Sequence, residues 1–273
     1  MSMDNRVPLS ELQERVYRIF VEFDRICRKH DIKYSMEGGT LLGAVKYKNF
    51  VPWDDDIDVI MIREEYDRFL EVAPNELSKQ YFLQSYNNVR QFPLNYAKLC
   101  DNDTCIYDYD YTHLTKMNHG IFIDIFPIDN VIPSKLSKQL HIVGMLTSAR
   151  KTKLKINFGK VGLLKKVIFG MLSILPMSFL CNQIDKCCSK YNKKKTDYRY
   201  EVCNSNKKFS PLPYEIYEEL VELDFRDSKF YAIKEYDRFL QSRFGENYLM
   251  ELPDENLRKP SHNPNIKILR GER

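Results

Sequence analysis

Several features are scarce in this chain of 273 residues, and each absence excludes a class of protein. Its seven cysteines form no C-x2-C pair and its five histidines are scattered, which weighs against a zinc site and favours reduced thiols. The first eight residues contain no apolar segment, so no secretory signal is expected. The run 167–181 is apolar but is broken by Pro176. It is shorter than the roughly 20 residues that a membrane-spanning helix needs.

Acidic residues are missing from one long segment. The net charge is only +4, yet residues 131–184 contain no Asp or Glu and nine Lys or Arg. We expect this segment to be helical. Its lysines would bind either an anionic membrane surface or the phosphates of an acceptor. Nucleic-acid binding is not expected, because the segment contains no base-reading motif.

The apolar pattern favours helices mixed with short strands, hence an α/β (α+β) fold. Helical spacing over 9–30 predicts an amphipathic helix, with Ser10 and Gln13 as a capping box. Further elements are strands over 32–36, in the second half of 51–62 and over 120–127, and helices over 41–47 and 63–72. We expect a single domain, 1–273, with a core over 1–130, a basic and apolar helical region over 131–200 and a C-terminal part over 201–273.

Four aspartates stand in the short segment 54–58, at the edge of a predicted strand. If extended geometry begins early enough, Asp54, Asp56 and Asp58 share one face and Asp55 points the other way. Carboxylates two residues apart can converge on one cation, and oxygen ligands near phosphate suit Mg²⁺. A solvated acidic turn is the alternative, which the alternating apolar neighbours disfavour.

Two further features extend this motif. The segment 38–40, Gly-Gly-Thr, lies between a predicted strand and a predicted helix, where it would form a phosphate cradle or an ordinary turn with an N-cap. Asp124 is a lone carboxylate within an apolar strand, and burying it is unfavourable without a partner. A cation shared with Asp56 and Asp58 would be one partner, and a hydrogen bond to a neighbouring loop would be another.

At this point the sequence resembles a family. The segment 34–62 is similar to the LicD-type transferases of the nucleotidyltransferase-fold superfamily and, more distantly, to fukutin-related proteins. The superfamily pattern is a G-[GS] loop, an acid–apolar–acid strand and a later apolar–acid–apolar strand. In this chain it is matched in order by Gly38-Gly39, Asp56-Ile57-Asp58 and Ile123-Asp124-Ile125. The resemblance covers most of the chain, is weakest over 131–220, and implies a nucleotidyltransferase-like mixed sheet flanked by helices with a basic helical insertion.

The resemblance also implies an activity. It is the Mg²⁺-dependent transfer of phosphocholine, or a related phospho-alcohol, from a CDP-linked donor to a hydroxyl of a cell-surface glycan, with release of CMP. Mn²⁺ is the alternative ion, and lipopolysaccharide and teichoic acid are the expected glycans. The enzyme is expected in the cytoplasm, meeting a free or lipid-linked acceptor at the inner face of the cell membrane through 131–184.

Site residues follow from the resemblance position by position. The implied metal ligands are Asp56, Asp58 and Asp124. The implied catalytic carboxylates are these three and Asp54, with the general base left open between Asp54 and Asp124. The implied substrate-binding residues are Gly38, Gly39, Thr40, Lys46, Asp55 and Lys98. Lys46 stands where arginine is more usual, so it keeps the charge but loses the bidentate fork.

Two other functions use the same residues. A true nucleotidyltransferase would move NMP from an NTP and release pyrophosphate rather than CMP. A non-catalytic member would bind nucleotide or glycan only, and the loss of the acidic triad would be its sign. The triad is present, which favours an enzyme.

Overall fold

The computed structural model describes residues 7–106, 111, 113–156, 161–204, 210–250, 260 and 266–268. Helices and strands are mixed along the chain, as the sequence predicts. The helices are α1 (Leu9–Lys29), α2 (Gly38–Tyr47), α3 (Arg63–Glu76), α4 (Pro133–Lys153), α5 (Leu163–Ser173), α6 (Met177–Cys188) and α7 (Tyr236–Phe244). The strands are β1 (Ser35–Met36), β2 (Asp58–Ile62), β3 (Tyr81–Gln84), β4 (Ala97–Asp101), β5 (Thr104–Ile106), β6 (Phe122–Val131), β7 (Tyr198–Tyr200), β8 (Leu212–Pro213), β9 (Leu220–Phe225), β10 (Ser228–Ile233) and β11 (Ile266–Ile268).

The main sheet has seven strands. Its central order is β1-β2-β6-β4-β3, and β7 and β8 extend it from the second half of β6. The strands β2 and β6 run parallel, whereas the other neighbours in this sheet are antiparallel. The long strand β6 therefore holds the sheet together, because it pairs with β2, β4 and β7.

Helix α1 lies against this sheet and confirms the amphipathic helix predicted for 9–30. Its buried stripe includes Val16, Phe20 and Phe23. The predicted capping box is wrong: Pro8 is the N-cap residue, and no side chain caps the helix. The amide of Gln13 is used elsewhere, because it donates a hydrogen bond to the backbone oxygen of Asp54 at 2.8 Å.

The predicted basic region folds as α4, α5 and α6. Helices α5 and α6 meet at an angle of 112°, and Pro176 is the N-cap residue of α6. Among the described residues, no single helix is long and apolar enough to cross a membrane, although this bent pair meets the length and composition criteria together. Among the described cations of this region, Arg150 is not at the surface: it is fully buried and donates to Oδ1 of Asn95 at 2.8 Å. The segment is therefore not a uniformly basic surface.

One cluster of buried apolar side chains draws on all three predicted regions. It contains Phe20 of α1, Ile184 of α6 and Phe239 of α7, each 0% exposed. The C-terminal helix thus packs into the same core as the N-terminal one. The single-domain organisation over 1–273 stays a prediction.

Candidate active site

Three charged side chains form a row across neighbouring strands. Asp58 on β2 is the register partner of Asp124 on β6, and Asp124 is the register partner of Lys98 on β4. Neighbouring strands lie about 4.8 Å apart, and paired residues point to the same face of the sheet. The flanking residues Val59 and Ile125 are fully buried and point to the other face. The sheet thus gathers on one face two carboxylates that are 66 residues apart in the sequence.

The cluster 54–56 has a different geometry from the one predicted. Strand β2 begins only at Asp58, and the N–H of Asp54 donates to the carbonyl of Val51 in a preceding turn. Because this segment is not a paired strand, side-chain alternation does not apply to it. The expectation that Asp55 points away is wrong, since carboxylate oxygens of Asp54, Asp55 and Asp56 lie within 4.8 Å of one another.

Helix α2 fixes this acidic segment from the side. The helix begins at Gly38, not at residue 41, so the predicted cradle forms its first turn. Gly38 has a φ of +52°, and a Cβ on Gly39 would collide with the carboxylate of Asp54. The hydroxyl of Thr40 accepts a hydrogen bond from the N–H of Asp58 at 2.9 Å. Thr40 therefore positions the start of β2, and Gly39 allows the aspartate loop to approach the helix.

Sequence reasoning missed two residues of this site, Glu37 and Arg243. The buried Glu37 precedes Gly38, and its N–H donates to the carbonyl of Asp58 at 3.0 Å. Its Oε1 lies 3.4 Å from Nε of Arg243, whose side chain is only 7% exposed. The position of Glu37 beside the glycines was a signal that could have been used. Arg243 lies 206 residues further along the chain on α7, and no local pattern pointed to it.

Burial and neighbouring negative charge raise the pKa of Asp54, Asp58 and Glu37. Burial, and then the neighbouring Asp56, raise the pKa of Asp54 to about 8. The pKa of Asp58 is also raised well above its ordinary value, first by burial and then by Asp56 and Asp124. Burial raises the pKa of Glu37, which the Arg243 guanidinium partly offsets. The state in which all these carboxylates are ionised is therefore unfavourable unless cations are bound near them.

A hard divalent cation suits this donor set. The ligand atoms are carboxylate oxygens, which Mg²⁺ prefers, and burial together with the neighbouring aspartates raises the pKa values of Asp54 and Asp58. The structure offers two groups of ligand atoms: the oxygens of Asp54, Asp55 and Asp56 within 4.8 Å, and the register pair Asp58 and Asp124. The assignment of the metal to Asp56, Asp58 and Asp124 stays a prediction.

The two predicted substrate-binding lysines differ in their position. Lys98 is 2% exposed, its Nζ lies 2.7 Å from Oδ1 of Asp124, and it lies over the ring of Phe122. Lys46 is in the last turn of α2, next to Tyr47, so about 10 Å of helix axis separates its backbone from that of Gly39. Lys98 thus belongs to the row of charges, and the role of Lys46 stays a prediction.

A cavity lies further along the same strands. It has a volume of about 200 Å³, and its lining includes Ile60, which lies two residues beyond Asp58 on β2. Tyr214, Tyr217 and Arg199 form part of its wall, and the guanidinium of Arg199 lies 4.0 Å from the centre of the Tyr214 ring. Burial raises the pKa of Tyr217, and the charges of Arg243 and Glu37 act on it as well.

The mixed sheet, the helix N-terminus beside an acidic loop and the paired strand carboxylates are the features that the resemblance to nucleotidyltransferase-fold proteins implies. Comparison with known proteins agrees: residues 31–155 match the family model described as "LicD/FKTN/FKRP, nucleotidyltransferase domain". The chain is 30% identical to the lipopolysaccharide cholinephosphotransferase LicD of Haemophilus influenzae, over 97% of this chain and 99% of that protein. The chain belongs to the LicD family, and it is a phosphotransferase.

Two further relatives match a shorter stretch. Uncharacterized proteins of Rickettsia typhi and Rickettsia prowazekii are 36% and 34% identical to this chain over 59 residues, which is 22% of its length. These two similarities cover too little of the chain to add a function.

Proposed function

We propose that this enzyme transfers phosphocholine, or a related phospho-alcohol, from a CDP-linked donor to a hydroxyl of a cell-surface glycan and releases CMP. The observation that carries the proposal is the row of Asp58, Asp124 and Lys98 on one sheet face, in a chain that aligns over almost its whole length with a lipopolysaccharide cholinephosphotransferase. Lipopolysaccharide is the acceptor that this similarity supports, and teichoic acid is the alternative for a cell that has no lipopolysaccharide.

Phosphoryl transfer of this kind depends mainly on positioning and on neutralising charge. Mg²⁺, or Mn²⁺ in its place, would neutralise the phosphate oxygens of the donor and the leaving CMP when held by Asp56, Asp58 and Asp124. The first turn of α2 presents backbone N–H groups beside this position, and the open space beside Gly38 leaves room for a phosphate to approach.

The remaining side chains have separate tasks. Lys98 holds Asp124 in place and adds a positive charge for the diphosphate. Arg243 neutralises Glu37, which would otherwise repel the donor. The acceptor hydroxyl must lose a proton, and we assign this to Asp54, because Lys98 engages Asp124. Gln13 and Gly39 fix the position of the Asp54 loop.

The same proposal places the enzyme in the cytoplasm, against the inner face of the cell membrane. A lipid-linked glycan would be met there, and the acid-free segment 131–184 would make the contact. The cavity beside Ile60 provides room for a part of a substrate that extends beyond the reacting phosphate.

Product analysis tests the proposal. The purified chain would be incubated with CDP-choline, CDP-ribitol, CDP-glycerol or CTP, each with lipopolysaccharide, in Mg²⁺, in Mn²⁺ and in a chelator. We expect CMP from one CDP-alcohol and transfer of its phosphate-linked group to the glycan, both abolished by the chelator. Release of pyrophosphate from CTP would instead identify a nucleotidyltransferase. No product from any donor would indicate a binding protein.

A further inference from the structure

A patch of apolar side chains is exposed on α5 and at its ends. Twelve large hydrophobic residues are exposed in the described part of the chain, and six of them fall between residues 163 and 179. Five lie on one side of the helix, at spacings of one, four, eight and eleven residues from the first. These five form the α5 apolar face: Leu163 (79% exposed), Leu164 (75%), Val167 (50%), Met171 (59%) and Ile174 (80%). Phe179, at 45%, lies nearby in the first turn of α6.

The opposite side of α5 is packed against the rest of the protein. Phe169 is buried, and the helix packs along α4. A helix that is apolar on both sides normally lies inside a protein or against a nonaqueous surface. Since α5 uses only one side for the core, the outer side is available for a second apolar environment, and exposed apolar patches of this kind mark interaction surfaces.

Exposed positive charge accompanies the α5 apolar face on the same helix and on the neighbouring one. Lys165 and Lys166 on α5 are exposed, as are Lys153 and Lys155 at the end of the neighbouring α4. The sequence from 131 to 184 contains no acidic residue, so no carboxylate of this segment offsets the charge. The complementary partner is therefore apolar and negatively charged, which is the chemistry of an anionic lipid bilayer at its interface.

The length of α5 favours a helix that lies on the bilayer surface over one that crosses the bilayer. The eleven residues of α5 extend about 16 Å, whereas the hydrocarbon core is about 30 Å thick. Helix α6 cannot supply the rest of a span, because its apolar residues Leu180 and Ile184 are fully buried in the protein. A second copy of the chain is a poor partner for this face, since it would bring Lys165 and Lys166 of both copies together.

We infer that the α5 apolar face docks on an anionic membrane surface, with Leu164 and Ile174 entering the interface and Lys165 and Lys166 contacting lipid headgroups. The inference deepens the proposed function by naming the surface that brings the enzyme to a lipid-linked acceptor. Lipid binding and transfer are measured separately, so each can fail without the other.

Vesicle flotation of the full chain tests the inference. The vesicles would be phosphatidylcholine alone and phosphatidylcholine mixed with phosphatidylglycerol, at low and high salt. Two double variants remove the apolar and the basic parts: Leu164→Gln with Ile174→Gln, and Lys165→Gln with Lys166→Gln. Matched controls at exposed positions outside α5 are Met250→Gln, and Lys193→Gln with Lys195→Gln.

We expect the wild type and both controls to float with the phosphatidylglycerol vesicles only, and less at high salt. The lysine double variant is expected to bind roughly 30-fold more weakly, and the apolar double variant roughly tenfold or more. CMP release from a soluble donor is expected to be unchanged in both double variants. Absence of flotation at every composition, or flotation that neither variant weakens, would overturn the inference. A lipid-free dimer that Leu164→Gln with Ile174→Gln dissociates, seen by light scattering, would also overturn it in favour of a second copy.

Discussion

Nζ of Lys98 lies 2.7 Å from Oδ1 of Asp124, and the two residues are direct register partners on the antiparallel strands β4 and β6. The lysine is almost completely buried, and it also lies over the ring of Phe122. A lone carboxylate in an apolar strand thus has a cation as its partner within the protein itself. This pair links the stability of the sheet to the chemistry of the site.

The first prediction concerns this pair. Lys98→Met is expected to lower the free energy of unfolding of the metal-free protein by about 3 kcal/mol, because it leaves the Asp124 carboxylate without its cation. If Asp124 also binds Mg²⁺, added Mg²⁺ should raise the Tm of Lys98→Met more than that of the wild type. Thermal unfolding with and without Mg²⁺ measures both effects.

A control keeps this test independent of activity. Lys98→Met combined with Asp124→Asn removes both charges, so this double variant should recover part of the lost stability and show no additional response to Mg²⁺. Equal Mg²⁺ shifts in Lys98→Met and the wild type would remove Asp124 from the metal ligands. Asp124→Asn alone is expected to lower turnover severely, and unchanged kinetics in a folded variant would leave it a structural residue.

The second prediction concerns the other two proposed ligands. Asp56→Asn or Asp58→Asn should abolish CMP release while the protein stays folded, because each removes a charge needed opposite the diphosphate. The Tm of the metal-free protein should rise, since burial and then repulsion from Asp56 and Asp124 raise the pKa of Asp58 in the wild type. Asp103→Asn, at an exposed position away from the site, is the control and should change neither quantity. Turnover of more than a few per cent at saturating Mg²⁺ would contradict the assignment.

The third prediction separates the two neighbouring glycines. Gly39→Ala should lower turnover at least about tenfold, because its Cβ would displace the Asp54 carboxylate. Gly38→Ala meets no atom within 4 Å and should cost about 1 kcal/mol of stability through its positive φ. Steady-state kinetics and urea unfolding distinguish a site effect from a backbone effect. The idea fails if Gly39→Ala retains the wild-type rate.

The fourth prediction tests the contribution of α7. Arg243→Gln should raise the KM for the CDP-alcohol roughly tenfold with a smaller change in kcat, because Glu37 then repels the donor diphosphate. Arg243→Lys should restore part of the affinity. The matched control is Arg238→Gln on the exposed side of the same helix. A lower Tm with an unchanged KM would show that Arg243 supports the fold only.

Much of the fold could be predicted from local patterns. The helical spacing over 9–30 and the apolar run around Asp124 predicted α1 and β6 correctly, because 3.6-residue and two-residue periods report directly on burial. The end of an element was less predictable: the cradle 38–40 proved to be helical, and β2 begins only at Asp58. The turn that precedes Asp58 sets where β2 begins, and the alternation of side chains between the two faces of a strand does not extend into a turn.

The sequence by itself determined the chemistry: a glycine pair before a helix, an acidic loop, and single carboxylates between apolar residues. The tertiary structure alone decided which of these groups meet. It set Asp58 beside Asp124 and brought Arg243 to Glu37 across 206 residues. It also buried Arg150 while leaving Leu164 exposed on another helix of the same basic segment. Periodicity shows which side of an element is apolar, but strand pairing and helix packing depend on contacts distant in sequence, which no local pattern encodes.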